Sequence, residues 1–168
     1  HSEILYSIVI PTHNRYQSLL RVLETLVKQT IPKSKYEIII VDDGSIDKTK
    51  YTVEEFQKKY SGYNIRYFFQ NNAGPATARN KGIQESKGEI IFFTDDDCLI
   101  PHDWIETLLL GFKRHPEVVG AGGWIEPPKE ELKKRSISRH YKFTHRETEK
   151  KYEVISNNPL KCFSVFAY

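Results

Sequence analysis

Three consecutive aspartates, Asp95, Asp96 and Asp97, follow the apolar residues 90–93 with only Thr94 between them. Four β-prone apolar residues in a row are typical of a short buried strand, so the carboxylates are expected at its end. Three neighbouring carboxylates repel one another, and a fold tolerates them where water, a cation or positive side chains neutralise the charge. At the carboxyl end of a strand in an open α/β sheet, we expect Mg²⁺ or Mn²⁺. A solvated acidic turn is the alternative.

Apolar runs and amphipathic segments alternate along most of the chain. Strands are predicted at residues 5–10, 36–41, 65–69, 90–93 and 118–124, and helices at residues 15–29, 47–60, 76–86 and 103–114. This alternation predicts an α/β fold with a mostly parallel sheet flanked by helices. Because the carboxyl ends of parallel strands lie at one edge, the turns PTHN, DDGS, NNAGP and TDDD should meet there and form a site.

Composition limits the partners and the compartment. The 168 residues suit one domain, and the formal net charge of +3 without a basic stripe does not predict nucleic-acid binding. Two cysteines, Cys98 and Cys162, are too few for a disulfide framework or a zinc site, which favours a reducing compartment. No run approaches the roughly 20 apolar residues of a membrane-spanning helix, and no signal pattern is visible. We therefore expect a cytoplasmic protein, either free or membrane-associated.

The turn after the first predicted strand argues against several nucleotide-binding classes. The sequence PTHNR contains no glycine, which disfavours a dinucleotide-binding dehydrogenase, and no P-loop ending in Gly-Lys-Ser/Thr occurs. Receiver domains and aspartate-nucleophile phosphatases place an aspartate directly after this strand, where the chain has Pro11 and Thr12. The acid cluster on the fourth strand and the acidic pair Asp42 and Asp43 on the second remain. A nucleoside diphosphate suits both, because a cation screens the phosphates while a separate carboxylate accepts a base N–H or sugar hydroxyl.

Four motifs in order carry a family resemblance: PTHNR, VDDGS, NNAGPATARNKGI and FFTDDDCLIPHDW. Together they resemble the amino-terminal half of family 2 inverting glycosyltransferases, over residues 4–125. The resemblance implies a GT-A fold, which is Rossmann-like, and a DXD motif that binds Mn²⁺ or Mg²⁺. It also implies sugar transfer from a UDP- or GDP-linked donor to a hydroxyl of a saccharide, lipid-linked or other acceptor, as in polysaccharide biosynthesis.

The resemblance implies roles for residues in the first three turns. The residues implied to line the base pocket are Pro11, Thr12, Asn14 and Arg15. Asp43 would accept a base N–H while Asp42 supports the turn, and Arg79 and Asn80 would place the nucleotide. Simpler roles stay open. Arg79 could pair with an acidic turn, Asp43 could cap the following helix, and the asparagines Asn14 and Asn72 could bond turn backbone.

In the fourth turn, the resemblance implies that Asp95 faces the ribose and that Asp97 holds the cation on the diphosphate. An alignment on the following proline would instead make Asp96 the metal ligand. Cys98 is expected to be a small buried residue, because magnesium and manganese prefer oxygen ligands.

The chain changes character after residue 126. Residues 1–126 are predicted to form the nucleotide-sugar-binding core, and residues 127–168 a basic flap at the start of an acceptor-side region. Residues 129–151 hold nine Lys or Arg against four Glu, which suits either a solvated face or a mobile flap that meets phosphate or anionic lipid.

The resemblance places the general base on an acid beyond the fifth strand. No Asp or Glu follows Glu153, so we expect the base in sequence beyond this chain, and donor binding is predicted more firmly than turnover. A silent nucleotide-sugar-binding module and a sugar nucleotidyltransferase are the alternatives. The latter would need a glycine-rich basic loop after the first strand, which is missing from PTHNR.

Overall fold

The structure is a computed structural model in which residues 4–114, 120–123 and 152–156 are described. The strands are β1 (Tyr6–Thr12), β2 (Tyr36–Asp43), β3 (Asn64–Gln70), β4 (Ile90–Phe93), β5 (Gly120–Gly123) and β6 (Tyr152–Ser156). The helices are α1 (Tyr16–Leu26), α2 (Thr49–Lys59), α3 (Pro75–Glu85) and α4 (Trp104–Arg114). Within these ranges, no helix is both long and apolar enough to cross a membrane.

The first four strands form one parallel sheet in the order β3-β2-β1-β4. This confirms the predicted α/β class with a mostly parallel sheet. Strands β2 and β3 are added in turn on one side of β1, and β4 is then added on the other side of β1. The connections after β1 and β4 therefore leave in different directions, and such a switch point opens a crevice at the carboxyl edge where ligands bind.

Strand β1 extends past the proline at which it was predicted to end. Pro11 lies opposite Val41 of β2, whereas pairing with β4 ends where Val9 meets Phe93. Because proline lacks a backbone N–H, it is tolerated where a strand has no partner on one side. Thr12 is thereby still held in the sheet, directly at the crevice.

The core lies on both faces of the sheet, as predicted. Ile8 and Ile10 of β1 belong to the larger buried cluster with side chains of α1, α2 and α4. Because successive side chains of a strand lie on opposite faces of the sheet, Val9 lies on the other face, where it belongs to a smaller cluster with Ala78 of α3. All eight residues of β2 are buried, which explains why its sequence reads as a continuous apolar run rather than an alternating one.

Glycine at position 82 lets α3 approach β1 closely. A Cβ atom at Gly82 would overlap Val9 Cγ1, and the Val9 side chain is fully buried. Gly82→Ala is expected to lower the free energy of unfolding by about 1–2 kcal/mol. Overpacking against Val9 destabilises the fold, and the higher helix propensity of alanine offsets part of this cost. Urea denaturation measures this. In a Val9→Ala background the same change should cost less, and Gln84→Ala, at an exposed position of α3, should cost nothing measurable.

The predicted fifth strand is observed as β5, but it does not extend the parallel sheet. It pairs antiparallel with β6 in a separate two-stranded sheet. The two strands come from opposite sides of the predicted boundary at residue 126, which itself stays a prediction. The basic segment 129–151 and Cys162 lie outside the described residues.

Candidate functional site

A cavity of about 440 Å³ opens at the carboxyl edge of the parallel sheet. Its walls come from the ends of β1 and β2, the start of α3 and the turn after β4. The lining residues are Pro11, Thr12, His13, Arg15, Asp43, Pro75, Arg79, Asp95, Asp96 and Asp97. All of the predicted site residues line it except Asn14, Asp42 and Asn80. Turns remote in sequence thus meet at one edge, as the parallel topology requires.

Asp43, at the end of β2, reaches across to the turn before α3. Its Oδ1 accepts hydrogen bonds from Gln70 Nε2 at 2.7 Å and from the Ala73 backbone N–H at 2.8 Å, and its Oδ2 accepts one from the Gly74 N–H at 2.8 Å. Burial raises the pKa of Asp43, but the bonds from Ala73, Gln70 and Gly74 outweigh it, so the pKa lies below its usual value. Asp43 is therefore an ionised carboxylate that positions the start of α3 and does not cap α2.

Replacing Asp43 by asparagine puts an amide N–H against one of these donors. The free energy of unfolding at neutral pH is expected to fall by about 1.5–3 kcal/mol. Because the pKa is lower in the folded state, ionised Asp43 stabilises the fold above the unfolded-state value, and the contribution is lost as pH falls through the folded-state pKa. The difference in free energy of unfolding between wild type and Asp43→Asn should therefore be constant near pH 7 and become smaller below the ordinary carboxyl pKa of 3.8. Urea titrations across pH measure it.

Glu54→Gln, at an exposed position of α2, is the control for the Asp43 substitution. It removes one carboxylate without touching the cavity, so its effect should be small at every pH. An advantage of wild type over Asp43→Asn that grows as the solution becomes more acidic would contradict the assigned role.

Asp42 holds the turn and does not line the cavity. It is almost fully buried, its Oδ1 accepts the Ser45 backbone N–H at 2.7 Å, and its Oδ2 accepts the Tyr67 hydroxyl at 2.6 Å. Burial, followed by the hydrogen bond to Asp42, raises the pKa of Tyr67. The Tyr67 hydroxyl therefore remains protonated and donates to Asp42 at neutral pH.

Asn14 ties the turn after β1 to the turn after β2. Its backbone N–H donates to Ser45 Oγ at 2.8 Å, and its Oδ1 accepts the Ile46 N–H at 2.8 Å. It adopts φ +53°, a left-handed conformation that asparagine tolerates better than most residues. Its Nδ2 lies 2.9 Å from His13 Nε2. Asn14 thus forms the frame behind the cavity wall.

His13 lines the cavity, although sequence reasoning assigned it no role. Its Nδ1 lies 2.8 Å from the Asp43 carbonyl oxygen, which can only accept, so this nitrogen carries the proton. The Asn14 side-chain amide then donates to the other ring nitrogen, and Asn72 Nδ2 lies 3.5 Å away. The sequence signal for His13 was its position between Thr12 and Asn14, two residues already assigned to the base pocket. Pro75, the first residue of α3, also lines the cavity and was also missed.

Two arginines neutralise most of the aspartate cluster. Arg79 Nη2, from α3, donates to Asp95 Oδ1 at 2.7 Å. Arg15 Nη1, from the turn after β1, lies 2.9 Å from Asp97 Oδ2 and 3.3 Å from Asp96 Oδ1. Positive side chains therefore stabilise the three carboxylates, which the sequence analysis gave as one of three ways to tolerate them. Asn80, beside Arg79, is exposed.

Asp96 and Asp97 lie in different environments. The Asp96 side chain is 7% exposed and accepts the Thr12 hydroxyl at 2.8 Å, whereas that of Asp97 is 54% exposed. Burial raises the pKa of Asp96, because the bonds from Thr12 and Arg15 only partly offset the loss of water. Asp97 is the more accessible carboxylate for a ligand entering the cavity.

The aspartate cluster suits a hard cation whose remaining ligands are phosphate oxygens and water molecules. Its accessible donors are carboxylate oxygens, which Mg²⁺ and Mn²⁺ prefer. Cys98 is buried in the core, and burial raises the pKa of its thiol, so it is not a thiolate ligand. Over the described ranges no three His, Cys, Asp or Glu side chains are grouped to hold a metal ion. Magnesium is commonly bound by one or two carboxylates with phosphates and waters, which requires no such group.

A parallel sheet with an acidic crevice at its switch point defines the class of this protein, and structural comparison places it among glycosyltransferases of the GT-A fold. The family model described as glycosyl transferase family 2 matches residues 7–168. The chain belongs to this family, which confirms the resemblance carried by the four motifs.

Curated relatives are similar to somewhat more than half of the chain. Glycosyltransferase AglE of Haloferax volcanii is 38% identical over 100 residues, 60% of this chain and 33% of that protein. The poly(ribitol-phosphate) beta-glucosyltransferase of Bacillus spizizenii is 42% identical over 94 residues, 56% of this chain and 15% of that protein. The chain therefore spans a third or less of these relatives.

Two solved structures of similar fold contain a nucleotide or a nucleotide sugar. S. aureus TarS 1–349 in complex with UDP has a TM-score of 0.61 and 28% identity, covering 67% of this chain and 33% of that one. The mannosyltransferase PcManGT from Pyrobaculum calidifontis, in complex with GDP-Man and Mn²⁺, has a TM-score of 0.66 and 25% identity, covering 76% and 37%.

Proposed function

We propose that this chain is the donor-binding part of a metal-dependent inverting glycosyltransferase, which transfers a sugar from a UDP- or GDP-linked donor to an acceptor hydroxyl. One observation carries the proposal. An ionised carboxylate, Asp43, and a separate aspartate cluster, Asp95 to Asp97, line the same cavity of about 440 Å³. The named ligands of the neighbouring structures, UDP in TarS and GDP-Man with Mn²⁺ in PcManGT, support this chemistry.

Asp43 provides the recognition site for the base. An ionised carboxylate has about four lone-pair sites, and Gln70, Ala73 and Gly74 occupy three of them. One site on Oδ2 remains to accept an N–H from a nucleobase. Pro11, Thr12 and His13 form the adjoining wall. We therefore propose that the base lies at the carboxyl ends of β1 and β2.

The diphosphate is placed near the aspartate cluster, with Asp95 toward the ribose. Three aspartates face two arginines there, and this excess negative charge repels a diphosphate. Asp97 would hold Mn²⁺ or Mg²⁺ through its exposed carboxylate. The bound cation supplies positive charge that screens the diphosphate and stabilises the departing nucleoside diphosphate. Arg79, fixed to Asp95, keeps a further positive charge beside the phosphates.

In the transfer step, the acceptor hydroxyl attacks the anomeric carbon from the face opposite the diphosphate, so that the configuration inverts. An acidic side chain acting as general base would take the hydroxyl proton. The relative from B. spizizenii is named poly(ribitol-phosphate) beta-glucosyltransferase, which supports a hydroxyl-bearing polymer as the acceptor. For such acceptors we propose a cytoplasmic location with peripheral membrane contact through the basic residues 129–151.

Calorimetric titration of UDP and GDP with and without MnCl₂ tests donor binding. We expect one nucleotide to bind with Mn²⁺ present and to bind much more weakly when EDTA replaces the metal. Heating the chain with individual nucleotide sugars identifies the donor, because a ligand of the folded state raises the unfolding temperature. Absence of binding in all conditions would contradict the proposal.

Release of free nucleoside diphosphate on incubation with donor and acceptor separates a transferase from a silent binding module. A protein that binds the donor but releases no nucleoside diphosphate with any acceptor offered would be the module.

A further inference from the structure

The Arg15 guanidinium contacts the aspartate cluster of the cavity. Its Nη1 reaches Asp97 Oδ2 at 2.9 Å and Asp96 Oδ1 at 3.3 Å, whereas the base-side carboxylate is Asp43. A monovalent side-chain cation thus rests on the same carboxylate, Asp97, that the proposed function assigns to the divalent cation. Two cations cannot share one carboxylate oxygen without strong repulsion.

We propose that Arg15 is the resident counter-ion of Asp97 in the nucleotide-free protein, and that it yields Asp97 to the metal and moves to the diphosphate when the donor binds. This inference rests on the proposed function and adds to it a diphosphate-binding residue that couples metal binding to nucleotide binding.

The two arginines of the cavity differ in their freedom to make this exchange. The Arg15 side chain is 57% exposed, so moving its guanidinium breaks few contacts. The Arg79 side chain is 26% exposed, and its Nε is buried without a hydrogen-bond partner among the described residues. Arg79 is therefore packed in place against Asp95, and Arg15 is the exchangeable cation.

The surroundings of Arg15 allow its side chain to move while its backbone stays fixed. The Arg15 carbonyl accepts the Leu19 N–H at 3.0 Å at the start of α1. The preceding residue, Asn14, is itself hydrogen-bonded to Ser45 and Ile46. Asp96 keeps the Thr12 hydroxyl at 2.8 Å, so it is not left without a partner. A guanidinium carries five donors in a planar fork that matches phosphate oxygens, so the exchanged arginine would bind the diphosphate well.

The exchange predicts opposite effects of one substitution on two ligands. Arg15→Gln removes the competitor for Asp97, so Mn²⁺ alone should bind about three- to tenfold more tightly than to wild type. The same variant loses a phosphate contact, so UDP or GDP at saturating Mn²⁺ should bind about tenfold more weakly. A residue that only supports the fold would weaken both.

The experiment titrates MnCl₂ into the nucleotide-free chain, with free Mn²⁺ followed by electron paramagnetic resonance, and then titrates UDP and GDP calorimetrically at saturating Mn²⁺. Arg21→Gln, an exposed arginine of α1, is the matched control and should behave as wild type. Thermal unfolding of each variant shows that the fold is retained.

Tighter Mn²⁺ binding together with weaker nucleotide binding in Arg15→Gln supports the exchange. If wild type binds nucleotide with Mn²⁺ but Arg15→Gln leaves the affinity for Mn²⁺ alone unchanged or lower, the exchange is wrong and the proposed function stands. If wild type binds neither nucleotide in any condition, the proposed function fails, and the exchange fails with it.

Discussion

Replacing Asp97 by alanine is expected to weaken the binding of a nucleoside diphosphate in the presence of Mn²⁺ by at least about 100-fold. Even the loss of a residue that only supports a metal ligand typically lowers metal affinity by about 10–100-fold. Asp97 is the more accessible of the two carboxylates bound by Arg15, with 54% of its side chain exposed. Without it, the proposed cation loses its protein ligand, so the diphosphate loses the positive charge that the cation would supply. In the presence of EDTA, nucleotide binding should not weaken, because the removed carboxylate repelled the diphosphate.

Calorimetry with and without Mn²⁺ measures the metal-dependent part of the affinity. Glu89→Ala is the matched control, because Glu89 is an exposed carboxylate just before the amino end of β4, the end away from the aspartate cluster. Asp96→Asn distinguishes the two candidate ligands. If this variant loses the metal dependence and Asp97→Ala keeps it, Asp96 is the principal ligand and the assignment to Asp97 is wrong.

Replacing Arg66 by methionine is expected to lower the free energy of unfolding by about 3–5 kcal/mol, because it leaves a buried charge without its counter-ion. Glu37 of β2 is fully buried. Its Oε1 accepts the Ser7 hydroxyl and the Lys87 backbone N–H, each at 2.7 Å, and its Oε2 accepts Arg66 Nη1 at 3.0 Å. Arg66 also donates to the Glu85 carbonyl oxygen at 2.6 Å, so the pair joins β2, β3 and the end of α3.

Urea denaturation compares Arg66→Met with two controls. Adding Glu37→Gln to the variant removes the buried charge while keeping an oxygen for Ser7 and Lys87, so it should recover part of the lost stability. Lys58→Met breaks an exposed ion pair with Glu55 and should leave the midpoint almost unchanged. A loss in Arg66→Met no larger than that in Lys58→Met would contradict the role of the buried pair.

For the pair of Glu37 and Arg66, the sequence indicates the buried charge but not its partner. Glu37 stands inside the run YEIIIV, and a single acid in a buried strand was a usable signal that its charge must be met. Its partner could not be found the same way. Arg66 is 29 residues away and lies beside Glu37 only because β2 and β3 are neighbours in the sheet.

The same limit applies to the site. Asp43 and the aspartate cluster could be located from sequence, because each ends an apolar run and parallel strands share an edge. The contacts of Asn14 and Arg15 could not, because both lie in one short turn and their side chains leave it in different directions. Asn14 turns toward Ile46 behind the wall, and Arg15 reaches the cluster.

Local pattern by itself determined the order of strands and helices from β1 to β5, the α/β class and the acids at the strand ends, because burial and hydrogen bonding act on short stretches and leave a period in the sequence. It did not indicate β6. Only the tertiary structure decided which charges meet. The strand order β3-β2-β1-β4 brings Arg15 to Asp97 and Arg79 to Asp95. Electrostatic energy depends on distance in space, and distance along the chain does not encode it.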